Sequence, residues 1–318
     1  MIIFLNGNSS TGKSVIARAL MRQSERPFLY FSVDHLVNFW IDEKFIAFED
    51  EPKSWFFKQH IIDTSTPIDV HGPNPQQLHW DVIESLAGFI QKGYDLIIDE
   101  VLWDIGIFER FSSILVQSDK VFIVKIICNL IEAERREGLR KDRLKGIARS
   151  LSSQVYKEPP AYDLTIDTTY TPANECAKTI LQFTDKNKEP EAFRDYLKSQ
   201  IQFSPLTMGD LNLIHRWINL PHMAKTWAEN KAWRFEDVEN KYLTYVKQYK
   251  AISEVNKPIF PYIIQCAKNP IGYIQYYNAY DFPREEALNE LPQSLAALDL
   301  YIGESAYLNK GLATQALK

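Results

Sequence analysis

A glycine-containing loop lies between an apolar run and a helical pattern at the start of the chain. Residues 7–14 read Gly-Asn-Ser-Ser-Thr-Gly-Lys-Ser, after an apolar run at residues 2–5 and before a helical pattern at residues 15–22. A strand, this glycine spacing, Lys-Ser and a helix together are typical of a phosphate-binding loop. Its backbone N–H groups surround phosphate oxygens, and the helix directs its positive end at the same anion. The pattern predicts nucleotide binding, and the alternative is a Gly/Ser turn without a ligand.

The positions of this loop have expected roles in holding ATP. Lys13 is expected to reach the β- and γ-phosphates, and the Ser14 hydroxyl is expected to hold Mg²⁺. The complete predicted nucleotide-binding set is Gly7, Asn8, Ser9, Ser10, Thr11, Gly12, Lys13 and Ser14.

Short β-branched runs alternate with helical patterns through residues 1–184. Near-continuous apolar strands separated by helices predict an α/β domain, in which helices cover both faces of a parallel sheet. Ligands of such sheets bind at the carboxyl ends of the strands. The predicted strands are residues 2–5, 28–33, 95–99, 120–128 and 163–167.

Acidic residues follow two of these predicted strands. Asp34 comes directly after residues 31–33. We expect it to act as the general base that accepts the proton of an attacking hydroxyl. Its alternative role is the N-cap of the segment that begins at His35. Asp99 is expected to hold the Mg²⁺ hydration shell or the acceptor, with Glu100 as the neighbouring candidate, and the alternative for both is a strand-end cap.

Three arginines after the fourth predicted strand share helical spacing. Arg136, Arg140 and Arg143 are four and three residues apart, so one helix face can present all of them. Guanidinium groups stabilise the charge of a transferred phosphoryl group when a lid closes over it. The spacing is consistent with a catalytic lid and equally with a salt-bridged surface helix.

Five motifs, in order, resemble the chloramphenicol phosphotransferase family of P-loop kinases. They are residues 2–14, Ser32-Val33-Asp34, residues 97–101, residues 128–146 with Glu134-x-Arg136-Glu137-x-x-Arg140-x-Asp142-Arg143-x-x-Gly146, and residues 162–169. The resemblance implies a P-loop kinase-like fold and transfer of the ATP γ-phosphate to a hydroxyl of a small molecule such as chloramphenicol. It also implies that Asp34 is the base and that Arg136, Arg140 and Arg143 belong to the lid.

The segment between residues 36 and 80 departs from that family and is rich in aromatic residues and histidine. We expect it to form the acceptor pocket and to choose the substrate, although core packing is the commoner role of aromatic side chains. The side chains concerned are Trp40, Trp55, Phe56, Phe57, His71, His79 and Trp80.

A charged, polar segment around Pro190 predicts a domain boundary. We expect a phosphotransferase domain at residues 1–184, a linker at 185–200 and a second domain at 201–318. Helical residues 211–217 and several strand-like runs predict a mixed α+β fold with antiparallel strands in the second domain. The runs are residues 262–266, 270–277 and 298–303.

A second loop suited to anions opens a helix at residues 307–314. With Pro270-Ile271-Gly272-Tyr273 and the strand residue Asp299, it resembles the GNAT N-acetyltransferases, in particular the aminoglycoside 6′-N-acetyltransferases. The resemblance implies that Asp299 contacts or deprotonates an acceptor amine. It also implies an acetyl-CoA pyrophosphate site at Leu308, Asn309, Lys310, Gly311 and Ala313. Because the sequence stops at Lys318, we expect an incomplete GNAT domain whose acetyl transfer is weak or absent.

Composition narrows the range of partners. A net charge of −5 argues against nucleic acid as the main partner. Without an apolar run of roughly 18 residues or a signal sequence, we expect no membrane partner and a cytoplasmic location. The three cysteines and six histidines form no zinc or redox spacing, so the Mg²⁺ that accompanies the nucleotide is the one metal expected.

These features predict an ATP-dependent phosphotransferase acting on a small-molecule hydroxyl, joined to an incomplete GNAT-like domain. Two resemblances to antibiotic-modifying families make drug inactivation an attractive function, although fold similarity does not name a substrate. One alternative is a housekeeping small-molecule kinase. Another is a nucleotide-dependent switch or binding protein, in which Asp34 is only a cap and the second domain is a residual acyl-CoA-binding module.

Overall fold

The structure of the protein is a computed structural model that divides the chain into two units, Met1–Tyr196 and Leu197–Lys318. It describes residues 1–33, 46–48, 56–58, 73–140, 145–157, 159, 161–187, 189–223, 232–252, 254–283, 292 and 294–318. Within these ranges, none of the helices has the length and hydropathy needed to span a bilayer.

A five-stranded parallel sheet forms the centre of the first unit, as the sequence predicted. The strands of this unit are β1 (Ile2–Gly7), β2 (Leu29–Ser32), β3 (Ile46–Phe48), β4 (Phe56–Lys58), β5 (Leu96–Glu100), β6 (Val121–Ile127) and β7 (Leu164–Asp167). The main sheet has the order β2-β5-β1-β6-β7, and β3 and β4 form a separate parallel pair. All six residues of β1 are buried, because β1 lies between β5 and β6.

Helices cover both faces of this sheet. The helices of the first unit are α1 (Lys13–Gln23), α2 (Pro73–Ser85), α3 (Ala87–Gln91), α4 (Ile105–Leu115), α5 (Leu130–Gly138), α6 (Ile147–Leu151) and α7 (Ala173–Lys186). Ile3 shares one core cluster with Ile16 of α1 and Ile180 of α7. Its neighbour Phe4 points to the other face, where its ring meets Phe108 of α4 edge-on at 5.8 Å between centroids. Alternate side chains of one strand therefore bind helices on opposite faces.

The second unit contains the predicted antiparallel sheet. The elements that follow α7 are α8 (Ala192–Ser199), β8 (Ile201–Pro205), α9 (Leu211–Ile218), α10 (Phe235–Val246), β9 (Tyr249–Ile252), β10 (Val255–Pro258), β11 (Phe260–Cys266), β12 (Asn269–Asn278), β13 (Ala296–Ile302) and α11 (Leu312–Ala316). Four strands form a sheet in the order β13-β12-β11-β8, and β9 pairs with β10. Trp217 of α9, Tyr242 of α10 and Tyr273 of β12 are fully buried in one cluster, so these two helices cover one face of the sheet.

Part of the segment expected to be a linker is helical. The α8 helix occupies residues 192–199, and the division between the two units falls inside it. Phe193 and Tyr196 are buried against Phe108 of the first unit. Polar residues continue along α8, while Phe193 and Tyr196 form its buried side.

Candidate active site

The loop between β1 and α1 is held in shape by its own hydrogen bonds. Gly12, the residue before α1, has a φ of 91°, and Ser10 has a φ of 61°. The Ser9 N–H donates to Asn8 Oδ1 over 2.7 Å, and the Thr11 hydroxyl donates to the Asn8 carbonyl over 2.9 Å. Because the first N–H groups of a helix have no intrahelical acceptor, the loop and the start of α1 form a site suited to phosphate oxygens.

Two serine hydroxyls of this loop are buried without a hydrogen-bond partner. The Oγ atoms of Ser9 and Ser10 both have this property. A buried hydroxyl without a partner is costly, and native proteins rarely keep one unless a ligand or water satisfies it. Phosphate oxygens are acceptors that fit both hydroxyls. The residues of the loop therefore fit the nucleotide that the sequence predicts.

The structure brings the two predicted Mg²⁺ residues together. Ser14 Oγ donates to Asp99 Oδ2 over 2.7 Å, and Asp99 is buried at the end of β5. The Tyr30 hydroxyl donates to the same oxygen over 2.9 Å. Burial, followed by the charge of Asp99, raises the pKa of Tyr30, so this hydroxyl stays a donor. Tyr30 was not predicted as a site residue, although it lies on the strand that leads to Asp34.

The Ser14 and Asp99 oxygens have the chemistry that Mg²⁺ prefers. A hydroxyl and a carboxylate are hard ligands, and Mg²⁺ in nucleotide sites keeps water and phosphate oxygens as its other ligands. In the part of the chain that the structure describes, no group of three or more His, Cys, Asp or Glu side chains could hold a metal ion. Ser14 and Asp99 would therefore hold Mg²⁺ together with nucleotide oxygens.

Lys13 lies along the loop that it is expected to serve. Its Nζ donates to the carbonyl of Gly7 over 2.7 Å and to that of Asn8 over 3.1 Å. Asp99 Oδ1 is 3.7 Å from the same nitrogen, and both side chains are buried. The contact of Lys13 with the β- and γ-phosphates stays a prediction.

The prediction that one helix face presents all three arginines is wrong. The α5 helix ends at Gly138, so Arg136 lies on the helix and Arg140 lies beyond its end; Arg143 is outside the described residues. Beyond this end, residues 146 and 148 are held close to the last turn of α5. The buried Glu137 carboxylate accepts the N–H groups of Gly146 at 2.7 Å and Ala148 at 3.0 Å.

Arg136 itself is fixed next to the phosphate-binding loop. Its guanidinium donates to Glu132 over 2.8 Å, to Thr168 Oγ1 over 3.2 Å and to the Thr168 carbonyl over 2.6 Å. The Thr168 hydroxyl in turn donates to the Thr11 carbonyl over 2.7 Å. Thr168 thus joins the arginine to the loop. Arg136 also lies close to Gly12, because a Cβ built on that glycine would be 3.7 Å from Arg136 Nη1.

A second tether joins the loop to the segment after α5. The Asn8 side chain donates from Nδ2 to the Ala148 carbonyl over 2.6 Å, and the Asn8 backbone N–H donates to the Tyr156 hydroxyl over 3.3 Å. That hydroxyl in turn donates to the carbonyl of Ile126 over 2.8 Å. Burial raises the pKa of Tyr156 to about 12. Sequence reasoning gave no role to Thr168, Glu137 or Tyr156. The first two lie inside the family motifs, which was the available signal.

On the acceptor side, the structure describes a part of the predicted set. Asp34, Trp40, Trp55 and His71 lie outside the described residues, as do the side chains of Phe56 and Phe57. His79 and Trp80 lie on α2, with their ring centroids 5.6 Å apart. His79 Nε2 is 3.5 Å from Oε2 of Glu100, which is buried at the end of β5 beside Asp99.

In the second unit, the predicted acceptor-side aspartate belongs to a chain of hydrogen bonds. Asp299 of β13 pairs with Gln275 of β12, whose side-chain amide donates to Asp299 Oδ2 over 2.7 Å. The Tyr273 hydroxyl donates to Gln275 Oε1 over 2.6 Å. Burial, followed by the charge of Asp299, raises the pKa of Tyr245 to about 12. Asp299 is thus a held carboxylate in a tyrosine-rich site.

The predicted pyrophosphate loop precedes α11. Asn309 and Gly311 have φ values of 60° and 74°, and Gly311 is the residue directly before the helix. Lys310 between them is buried. Leu308 comes before this turn, and Ala313 lies in the first turn of α11. The backbone is therefore compact at the five residues that the GNAT resemblance assigns to acetyl-CoA.

The comparison with protein families decides the identity of the first unit. Residues 1–185, more than half of the chain, match the model of the chloramphenicol phosphotransferase-like proteins. The chain belongs to this chloramphenicol phosphotransferase-like family. Residues 207–318 match the model of a GNAT acetyltransferase domain, which confirms the second resemblance.

Curated relatives resemble one or the other part of this chloramphenicol phosphotransferase-like protein. The aminoglycoside N(6′)-acetyltransferase type 1 of Klebsiella pneumoniae is 26% identical over 114 residues, which cover 36% of this chain and 53% of the relative. The chain thus spans about half the length of that acetyltransferase. A Mycobacterium tuberculosis protein provisionally named an O-phosphotransferase is 25% identical over 204 residues, covering 60% of this chain and 85% of the relative.

Solved structures similar to this family member fall into the same two groups. The aminoglycoside acetyltransferase AAC(6′)-Ib in complex with coenzyme A has a TM-score of 0.31 and 25% identity, covering 37% of this chain and 62% of that one. The Mycobacterium tuberculosis APS kinase in complex with AMPPNP and APS has a TM-score of 0.40 and 13% identity, covering 58% of this chain and 97% of that one.

Proposed function

We propose that the first unit transfers the γ-phosphate of ATP to a hydroxyl of a small molecule. The observation that carries this proposal is the cluster of buried Lys13 and Asp99 with Ser14, next to a loop whose Ser9 and Ser10 hydroxyls have no hydrogen-bond partner. This cluster lies at the carboxyl edge of a parallel sheet, where ligands of such folds bind. Membership of the chloramphenicol phosphotransferase-like family supports the same reaction.

The proposed reaction divides its tasks among these residues. The acceptor oxygen forms the new bond to phosphorus, the bond to the β-phosphate oxygen breaks, ADP leaves, and Asp34 accepts the hydroxyl proton. Ser14 and Asp99 hold Mg²⁺, which neutralises phosphate charge when it is bound. Lys13 and Arg136 supply positive charge on either side of the loop. The arginine needs little reorganisation, since Glu132 and Thr168 already fix its guanidinium.

Acceptor-stimulated ATP consumption tests the proposal. The full chain is incubated with Mg²⁺, ATP and a panel of hydroxyl-bearing small molecules that includes chloramphenicol, with Lys13→Ala as the blank. We expect at least one acceptor to stimulate turnover that the variant lacks. ATP binding without stimulation by any acceptor would favour a nucleotide-dependent switch instead.

Asp34→Asn separates a kinase from a switch. A kinase that loses its general base should lose phosphoryl transfer by orders of magnitude and keep its ATP affinity. A protein in which Asp34 is only a helix cap should lose little of either. Once an acceptor is known, its identity separates drug inactivation from a housekeeping reaction.

For the second unit we propose binding of acetyl-CoA through the turn at residues 308–313. The left-handed backbone at Asn309 and Gly311 directly before α11, within the GNAT match, supports this proposal. Titration calorimetry of the full chain with acetyl-CoA tests it. A dissociation constant tighter than about 100 μM would support binding and contradict the expectation that acetyl transfer is weak or absent, and a weaker one would contradict the proposal. Aminoglycosides are the acceptors to test first, because the matched relative carries that name. We also propose a cytoplasmic location, because ATP and acetyl-CoA are available there.

A further inference from the structure

Glu100 has one carboxylate oxygen in use and one without a hydrogen bond. It is the last residue of β5 and is 5% exposed. Its Oε1 accepts the N–H of Val101 over 2.8 Å, which fixes the orientation of the carboxylate. Its Oε2 is buried and makes no hydrogen bond. A buried carboxylate oxygen of this kind lacks the donor that such a group normally has.

The position of Glu100 connects this oxygen with the proposed reaction. In the sheet register, Glu100 lies opposite Asn6, one residue before the phosphate-binding loop begins. It directly follows Asp99, whose side chain bonds Ser14. Successive side chains of a strand point to opposite faces, so Asp99 and Glu100 serve different sides of one sheet edge.

The element that approaches Glu100 belongs to the segment expected to choose the substrate. His79 Nε2 of α2 is 3.5 Å from Glu100 Oε2, beyond the usual length of a hydrogen bond, and the His79 side chain is 16% exposed. The two side chains form an ion pair when His79 is protonated, but in this geometry they make no hydrogen bond. The ring of Trp80 lies beside His79. A buried carboxylate acceptor next to an aromatic part of α2 suits a polar group on an otherwise apolar molecule.

We infer that Glu100 recognises the acceptor, with Oε2 accepting a hydrogen bond from a second donor group on the same molecule. The preferred substrates are then diols or amino alcohols, in which one hydroxyl reacts and a neighbouring hydroxyl or amine binds Glu100. This inference rests on the proposed phosphotransferase function and specifies its substrate class.

Matched acceptor pairs test the inference in the full chain. Chloramphenicol, which carries two hydroxyls, is compared with each of its monodeoxy analogues, and a panel of diols and amino alcohols is compared with analogues that lack the second donor. For each pair, kcat/KM is measured with the wild-type protein and Glu100→Gln. Calorimetry in the presence of AMPPNP records acceptor binding without turnover.

The expected result is that Glu100→Gln loses the preference for difunctional acceptors and keeps its interaction with MgATP. The wild-type protein should prefer the difunctional acceptor about 10- to 100-fold, the range for a hydrogen bond to a charged group. Glu100→Gln should reduce kcat/KM for that acceptor by a similar factor, because its amide group presents N–H to the donor. The monofunctional analogue and the KM for MgATP should change little.

Two further variants keep the result interpretable. Glu84→Gln makes the same chemical change on an exposed carboxylate of α2, and it should leave the preference intact. Glu100→Asp retains the charge but withdraws the oxygen by one methylene, so it should also lose the preference. It replaces Glu100→Gln in the test if circular dichroism shows that Glu100→Gln does not fold.

Each alternative outcome has a distinct meaning. Wild-type turnover with an unchanged preference in Glu100→Gln would overturn the inference and leave the phosphotransferase intact. An equal loss for both members of each pair would also overturn it, because a structural role predicts that pattern. If the wild-type protein neither binds nor phosphorylates any acceptor of the panel, the proposed function and the inference both fall.

Discussion

Replacing Thr168 by valine tests the link between Arg136 and the phosphate-binding loop. Thr168 is 3% exposed, and its hydroxyl donates to the Thr11 carbonyl over 2.7 Å while it accepts from Arg136 Nη1 over 3.2 Å. Valine keeps the shape of the side chain and removes the hydroxyl. The buried carbonyl of Thr11 then loses this donor, and the guanidinium loses one of its acceptors.

The expected cost follows from these two lost contacts. Leaving a buried polar group without its partner costs about 1–3 kcal/mol. In a unit of this size, each kcal/mol lowers the melting temperature by roughly 2–4 °C. The nucleotide should also bind more weakly, because the loop and Arg136 no longer hold each other. We expect an increase of about 3- to 10-fold in the Kd for MgATP, which corresponds to roughly half of the lost contact energy.

Thr184→Val is the matched control. Thr184 is equally buried, but its hydroxyl donates to the Leu181 carbonyl within α7, far along the chain from the loop. Differential scanning calorimetry measures stability for both variants, and titration with the non-hydrolysable analogue AMPPNP measures affinity. The control should lose little stability and no affinity.

A clear result would refute this reasoning. If Thr168→Val and Thr184→Val changed the melting temperature and the AMPPNP affinity by the same amounts, the hydroxyl of Thr168 would have no special role at the loop. Loss of stability with full affinity would show that Thr168 supports the fold and does not position the nucleotide site.

Three further predictions concern the loop and the segment that holds Arg136. Gly7→Ala should cost about 1–3 kcal/mol and abolish AMPPNP binding, because its Cβ would lie 2.5 Å from a backbone carbonyl oxygen. The control Gly88→Ala, whose Cβ meets nothing within 4 Å inside α3, should stabilise the protein slightly in the same thermal assay. Glu137→Gln should accelerate amide hydrogen exchange at Ala148 about 10-fold or more, because an amide replaces one oxygen of the carboxylate cap; unchanged exchange would contradict the tether. Hydrogen bonds from two arginines lower the pKa of Glu132 from 4.5 to about 2. The stability that this shift contributes is present above pH 4.5 and is lost as the pH falls toward 2. Urea titrations of Glu132→Gln and wild-type protein should therefore differ at pH 6 and converge near pH 2, with a small difference because the side chain is solvated; a difference that is independent of pH would contradict the assignment.

Local sequence patterns predicted the first sheet well, because each pattern expresses a rule that acts over a few residues. The apolar run before Gly7 could only be a buried strand, and the loop after it required glycine at the left-handed position of Gly12. The same reasoning found β11, β12 and β13 of the second unit, and it missed β8, β9 and β10. It also placed the phosphate-binding loop and Asp99 at one edge of the sheet, where the structure brings Ser14 and Asp99 into contact.

The three arginines show where local patterns stop being sufficient. Their spacing is helical, yet α5 ends at Gly138, and the Glu137 carboxylate binds N–H groups 9 and 11 residues further along the chain. Helix spacing carries no information about such a contact. The linker is a similar case, in which α8 forms because Phe193 and Tyr196 find a surface on Phe108.

By itself, the sequence determined the phosphate-binding loop, the order of strands and helices, and the presence of two differently built parts. These properties depend on backbone preferences and on periodic burial, which neighbouring residues express. The tertiary structure alone decided that Thr168 joins Arg136 to the loop, that Tyr30 binds Asp99, and that an oxygen of Glu100 is left facing His79. Such contacts join residues 21 to 157 positions apart in the chain, and their geometry exists only after the sheet has brought its strand ends together.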